Sequence, residues 1–303
     1  MKNDKRLTAT MRRLLLMLQL IALPLAASAQ ETESFGAVWT EVGVTKVLPY
    51  NFSLEGGIGF RTFDWFNDAN RFDASLGLSY KLGKYFKFGL SYTFIEKHYL
   101  EDVEYKYEGD HDYSSYQGPY VVDDDDDEYE GGYTYRYQGY NVDAPNWAPR
   151  HRVSLEVTAD KRFWKTLRIS LRERYQFTHQ AARDVDRVRY RDPSWDADGN
   201  ITEYDEIEEV VRTKAAWNRH LLRSRLKFAI DKKGLKWEPF FSIELHNDMG
   251  NGWDLDKVRT ITGVEYAVSK LHKISAGYVF NHENDIDGDQ NIHALSLGYK
   301  FKF

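Results

Sequence analysis

The chain has no cysteine, so any chemistry must come from histidines, arginines, lysines, carboxylates and hydroxyls. Disulfides, thiolate metal sites and a cysteine lipid anchor are excluded. His98, His151, His179, His220, His282 and His293 are the largest set of possible zinc or copper ligands. To bind one ion they would have to converge. Most of them instead follow an aromatic series of one parity, as in Tyr175, Phe177, His179 and Tyr278, Phe280, His282. Spread round a wall, they read as a polar edge to an aromatic belt that touches lipid headgroups. Only His246 has the opposite parity, beside Glu244 and Asp248. A lipid-modifying enzyme would need a Ser-His or similar set. Ser242, four residues from His246, is the nearest approach and a poor one. No catalytic residue is assigned, and the chain is not expected to be an enzyme.

A second set is basic. Arg61, Arg152, Arg168, Arg172, Arg174, Arg223, Arg225 and Lys227 share the polar parity of their segments, as do Glu55, Glu156, Glu238, Glu244 and Glu265. Arg or Lys facing hydrocarbon costs about 2–4 kcal/mol at a bilayer midplane, so these residues belong inside a barrel. Two readings follow. One is a salt-bridge network that fills and stiffens a narrow lumen, and a small strand number favours it. The other is an anion-preferring pore. Glu173 takes the apolar parity between Leu171 and Tyr175, which predicts a β-bulge that turns it inward.

The third set is acidic. Residues 99–148 hold the run Asp123–Asp127 and eleven tyrosines, with a net charge of −12. They read either as a solvated loop whose charges repel or as a tyrosine-faced extension for surface sugars and divalent cations. Residues 180–216 read as a hairpin with Arg187, Arg189 and Arg191 on one arm opposite Glu203, Asp205 and Glu209 on the other. Near its tip, Asp196, Asp198, Asn200 and Asp205 resemble a calcium loop of the EF-hand type. Ser194 and Asp205 depart from that pattern at its first and last ligands, and Asp-Gly is also an ordinary turn. Calcium is the one cofactor suggested.

The elements that must position these residues alternate with period two. Phe86, Phe88, Leu90, Tyr92 and Phe94 oppose Lys87, Gly89, Ser91 and Thr93, and Leu295, Leu297, Tyr299 and Phe301 oppose Ser296, Gly298 and Lys300. Soluble strands commonly run about 5–6 residues. These run about ten or more, the length of a tilted membrane strand. Short links near 83–84, 162–166, 232–234 and 269–272 alternate with longer ones at 64–69, 99–148, 180–216, 247–256 and 283–289.

The expected fold is therefore an all-β, transmembrane, antiparallel up-and-down barrel of ten to twelve strands with long extracellular loops. Residues 1–29 read as a cleaved signal peptide, from a basic start, an apolar run and Ala27-Ser28-Ala29. Residues 51–303 form the barrel. Residues 30–50 are either a first strand or a segment inside the lumen. The precursor charge is −6, and the mature chain lies near −10, which argues against nucleic acid.

Trp39, Glu41 and Gly43, then Gly59-Phe60-Arg61, then paired long strands and the terminal Phe303, resemble an uncharacterised domain-of-unknown-function family of outer-membrane barrels common in Bacteroidota. The resemblance implies location and fold and carries no activity. Expected partners are outer-membrane lipid and lipopolysaccharide, with the barrel-assembly machinery for insertion. The oligomeric state is open. A structural barrel or narrow channel leads the functional readings, ahead of a surface-binding module and a lipid-modifying enzyme.

Overall fold

A computed structural model describes residues 33–107, 120–123, 133–164, 166–196, 200–232, 234–283 and 290–303. The proposed signal peptide lies outside them. The strands are β1 (Glu33–Val47), β2 (Phe52–Phe63), β3 (Asp68–Leu82), β4 (Phe86–Tyr99), β5 (Asp102–Tyr107), β6 (Tyr120–Asp123), β7 (Tyr133–Asp143) and β8 (Asn146–Phe163). They continue as β9 (Leu167–Gln180), β10 (Arg183–Trp195), β11 (Ile201–Lys214), β12 (Trp217–Ile230), β13 (Trp237–Asp248), β14 (Asp254–Ala267), β15 (His272–Glu283) and β16 (Gln290–Lys302).

Eleven of them close a barrel in the order β1-β16-β15-β14-β13-β12-β9-β8-β4-β3-β2. Ten neighbouring pairs run antiparallel and one does not. β1 pairs parallel to β16, from Glu33 opposite Gln290 to Thr45 opposite Lys302. An odd number of alternating strands leaves the first and last pointing the same way, so closure requires one parallel seam. Residues 35–48 therefore belong to the wall and do not lie in the lumen. The antiparallel expectation fails at this seam alone.

The barrel has two unlike ends. Short turns and Phe303 occupy the turn end, where Val47 N donates to Phe303 O at 2.8 Å. Tyr50 and Asn51 take left-handed φ of 59° and 65° in the first of these turns. The long connections and the start of β1 occupy the loop end. The two longest carry further strands. β5, β6 and β7 lie between β4 and β8, and β10 and β11 lie between β9 and β12. Together they form a second, five-stranded sheet. Ala144 N donates to Asp186 O at 2.8 Å where the two insertions meet.

Side-chain direction is inverted relative to a soluble sandwich. Phe88 is 40% exposed and Leu297 is 52% exposed on the outside, whereas Glu244 and Arg259 are buried inside. The interior is lopsided as well. β2–β4 turn Gly57, Gly59, Gly77 and Gly89 inward, and β8–β14 answer with long charged side chains. At Gly89 a Cβ would stand 2.7 Å from Glu156 Cγ, so the small residue makes room for the carboxylate opposite.

Candidate functional site

The barrel encloses a cavity of about 970 Å³. Its lining runs from Thr45 and Glu55 near the turn end to Asn70, Asp256 and Gln290 at the loop end. Fourteen arginines and lysines line it against seven aspartates and glutamates. Low-dielectric walls lined by one sign of charge concentrate counter-ions.

Glu244 on β13 is the hub. Arg172 Nη2 lies 2.7 Å from it, Arg259 Nη1 3.5 Å and His246 Nε2 2.9 Å, and Arg223 Nη2 also bonds it. Arg174 pairs with Glu156 at 2.6 Å, and nearer the turn end Lys87 pairs with Glu55 at 2.5 Å. Near the turn end Arg168 meets Glu238 at 2.6 Å, and Lys227 and Lys273 share Glu265 at 2.6 and 2.7 Å. This last group closes the turn end of the barrel, beyond the residues that line the cavity.

Four cavity arginines have no ion pair among the described residues, and one of them, Arg150, bonds the Tyr99 hydroxyl and Gln180 Oε1. Arg61 stacks on Trp39, 4.4 Å from the ring centroid, with Arg259 at 4.9 Å from the same ring. Arg152 Nε donates to Thr178 Oγ1 at 2.9 Å. Arg225 Nε is buried without a hydrogen-bond partner, as are Nε of Arg172 and Arg223. A buried donor without an acceptor is costly, and water or an anion in the cavity supplies an acceptor.

Arg259 was not picked out in the sequence. It shares the parity of Glu265, six residues on, and that signal could have found it. His246 bonds Glu244, and no bond joins it to Ser242.

A family model described as a protein of unknown function (DUF2490) matches residues 36–292, from β1 into β16. The chain belongs to that family. No curated protein matches it.

Other expectations for this DUF2490 barrel meet the structure differently. β9 pairs with β8 and β12 without a register shift, so no bulge turns Glu173 inward. It stays on the outer wall and accepts from Ser224 Oγ at 2.6 Å. In the second sheet the charges do not pair across the β10–β11 hairpin as expected. Val188 lies opposite Glu209, and Ser194 opposite Glu203, which puts those acids out of phase with the arginines. Of the three arginines, Arg189 alone bonds an acid of the other arm, Glu208, at 3.2 Å. Arg187 crosses instead to Asp143 at 2.5 Å and Glu104 at 2.9 Å. Arg191 bonds Asn141 Oδ1 at 2.6 Å.

In the expected calcium loop, Asp196 Oδ1 accepts from Asn200 N at 2.8 Å, and Asp205 Oδ1 from Ser194 Oγ at 3.5 Å. Asp198 and the Asp123–Asp127 run, apart from the backbone of Asp123, lie outside the described residues. Among the described residues no group of three or more His, Asp or Glu side chains is placed to hold a metal ion.

Asp143 gathers Arg187, Lys214 at 2.8 Å and Arg212 at 3.4 Å. Burial raises its carboxyl, but hydrogen bonds and charge from Arg187 and Lys214 outweigh that and pull it down to about 2. Glu104 is likewise held at about 2, against burial, by Lys106, Asn141 and Arg187. Both lie well below the unfolded carboxyl range of about 4. Their contribution is fully present above about pH 5 and is lost as pH falls toward 2. Protection in β7 and β10, taken relative to the intrinsic exchange rate at each pH, is therefore expected to fall over that window while that of the barrel strands holds. A flat profile would contradict the pairing.

Proposed function

We propose that the chain is an outer-membrane barrel whose lumen passes small anions. The carrying observation is the long cavity with twice as many cations as carboxylates, four of its arginines having no ion pair among the described residues. The exposed apolar wall suits lipid, and a closed barrel leaves no unpaired strand edge there. On this reading the turn end faces the periplasm and the second sheet stands outside the cell. Basic residues lining a pore favour anions by charge, and Glu244 with its arginines ties β9, β12, β13 and β14 together inside the lumen.

The test is the reversal potential of the purified barrel in a planar bilayer under a KCl gradient. A potential near that of chloride is expected. No current at any voltage would overturn the channel and select the stiffened structural barrel.

One observation favours a second reading, a surface-binding module. Tyr105, Tyr137, Tyr140, Tyr190 and Tyr204 line a cavity of about 510 Å³ on the second sheet. Flat rings with hydroxyls suit sugars, and glycan-array binding that is lost in Tyr190→Ala would support it.

The membrane reading has a consequence for Glu173. It stands midway along β9, and on either side the outward residues are Leu171 and Tyr175. Glu173→Leu is expected to stabilise the barrel in lipid vesicles by about 1 kcal/mol, since a carboxylate on the lipid face is unfavourable. Urea unfolding measures this, and a loss of stability would show that the bond to Ser224 outweighs the exposure to lipid.

A further inference from the structure

Three strand pairs carry the same outward arrangement near the loop end. Phe94 lies opposite His151 on β4/β8, Phe177 opposite His220 on β9/β12, and Phe280 opposite His293 on β15/β16. In each pair the tyrosine two residues before the phenylalanine reaches diagonally to the histidine. Tyr92 Oη is 2.7 Å from His151 Nδ1, and Tyr175 Oη is 2.7 Å from His220 Nδ1. Tyr278 Oη meets His293 Nδ1 in the same way.

Two of the three continue one row higher with identical residues. His179 Nδ1 lies 2.8 Å from Asn218 Oδ1, and His282 Nδ1 lies 3.0 Å from Asn291 Oδ1. Tyr-x-Phe-x-His on the rising strand and Asn-x-His on the falling strand thus occur twice in one register. The β4/β8 pair has Glu96 and Pro149 in that row instead.

The chemistry follows from the hydrogen bonds. A tyrosine hydroxyl is both donor and acceptor, and in the tautomer in which it donates, His Nδ1 accepts. That tautomer carries its proton on Nε2, on the side of the ring away from the tyrosine. When Asn218 Oδ1 accepts from His179, its amide NH2 remains a donor. The result is a pair of fixed donors just above an apolar strip of Phe177, Leu222 and Tyr175. Donors over an apolar strip match a lipid whose phosphate sits above its acyl chains.

We propose that β9/β12 and β15/β16 are two equivalent binding sites for the phosphate of an outer-leaflet lipid headgroup. The proposal rests on the membrane reading above. β4/β8, with a carboxylate in the upper row, is the internal control.

Native mass spectrometry of the full barrel in detergent tests it, with a phosphorylated glycolipid, its dephosphorylated form and inorganic phosphate as probes. Two retained phosphorylated lipids are expected, one after His220→Ala with Asn218→Ala, and none when His293→Ala and Asn291→Ala are added. Apparent affinity should fall at least about tenfold per site, and His151→Ala should change nothing. If the alanine variants fold poorly, Tyr175→Phe with Tyr278→Phe, which releases the tautomer, should weaken binding without removing either histidine. Equal retention of the dephosphorylated lipid, or equal retention by the variants, overturns the proposal. Inorganic phosphate that competes fully with lipid at millimolar concentration also overturns it. A barrel that does not partition into vesicles at all removes the membrane reading itself, which is a separate result.

Discussion

Glu244→Gln is expected to destabilise the barrel by about 3–5 kcal/mol, the range for removing one partner of a buried ion pair. The Glu244 side chain is only 4% exposed, and it faces three arginines and His246. Glutamine keeps the shape and loses the charge. Arg172, Arg223 and Arg259 would then stand together inside the wall with their repulsion uncompensated. Nε of Arg172 and Arg223 already lacks a partner, so the site has little slack.

Urea unfolding in lipid vesicles should show a lower midpoint with an unchanged slope, the signature of lost stability without a change in exposed surface. A shift under about 1 kcal/mol would mean the charges behave as solvent-screened surface pairs. Anion preference should survive the substitution, because the lumen becomes more positive. Stability and selectivity therefore part company at this residue.

Arg61→Glu combined with Arg152→Glu is expected to lower the anion-to-cation permeability ratio at least about tenfold, which corresponds to about 1.4 kcal/mol. Neither arginine has an ion pair among the described residues. Arg61 rests on Trp39 and Arg152 on Thr178, so no carboxylate is orphaned by the change. Each reversal moves the lining by two charges. A unit charge about 8 Å from the path contributes about 2 kcal/mol at an effective dielectric near 20, before salt screening. The effect should therefore shrink as KCl is raised. The reversal potential reads it. Arg189→Glu, on the exposed second sheet with its side chain 45% exposed, is the control and should leave the potential unmoved. An unchanged ratio in the double variant would mean that permeating ions do not pass Arg61 and Arg152.

The barrel was legible because direction in a strand is a local property. Successive side chains point to opposite faces, so the parity of Phe88, Leu297, Arg172 and Glu244 could be read two residues at a time. The same rule would have found Arg259. A local pattern misleads where the neighbour it implies is not the neighbour that folding supplies. A bulge was inferred at Glu173 to avoid a charge outside, but Ser224 on β12 meets that carboxylate in an unbroken register. The arginines of β10 were matched to acids of β11, yet Asp143 lies across the opposite edge of β10 and takes Arg187. The paired Tyr-x-Phe-x-His and Asn-x-His segments were only half visible, because their halves are far apart in the chain and meet through register.

By itself, the sequence determined the strands, their apolar and polar faces, the alternation of short and long connections, and the excess of arginine on the inward face. Each of these depends on residues a few positions apart. Tertiary structure alone decided closure at eleven strands, the parallel seam between β1 and β16, the union of two insertions into one sheet, and the partner of each arginine. Those depend on which distant strands become neighbours and in what register, a choice settled by closing the whole ring.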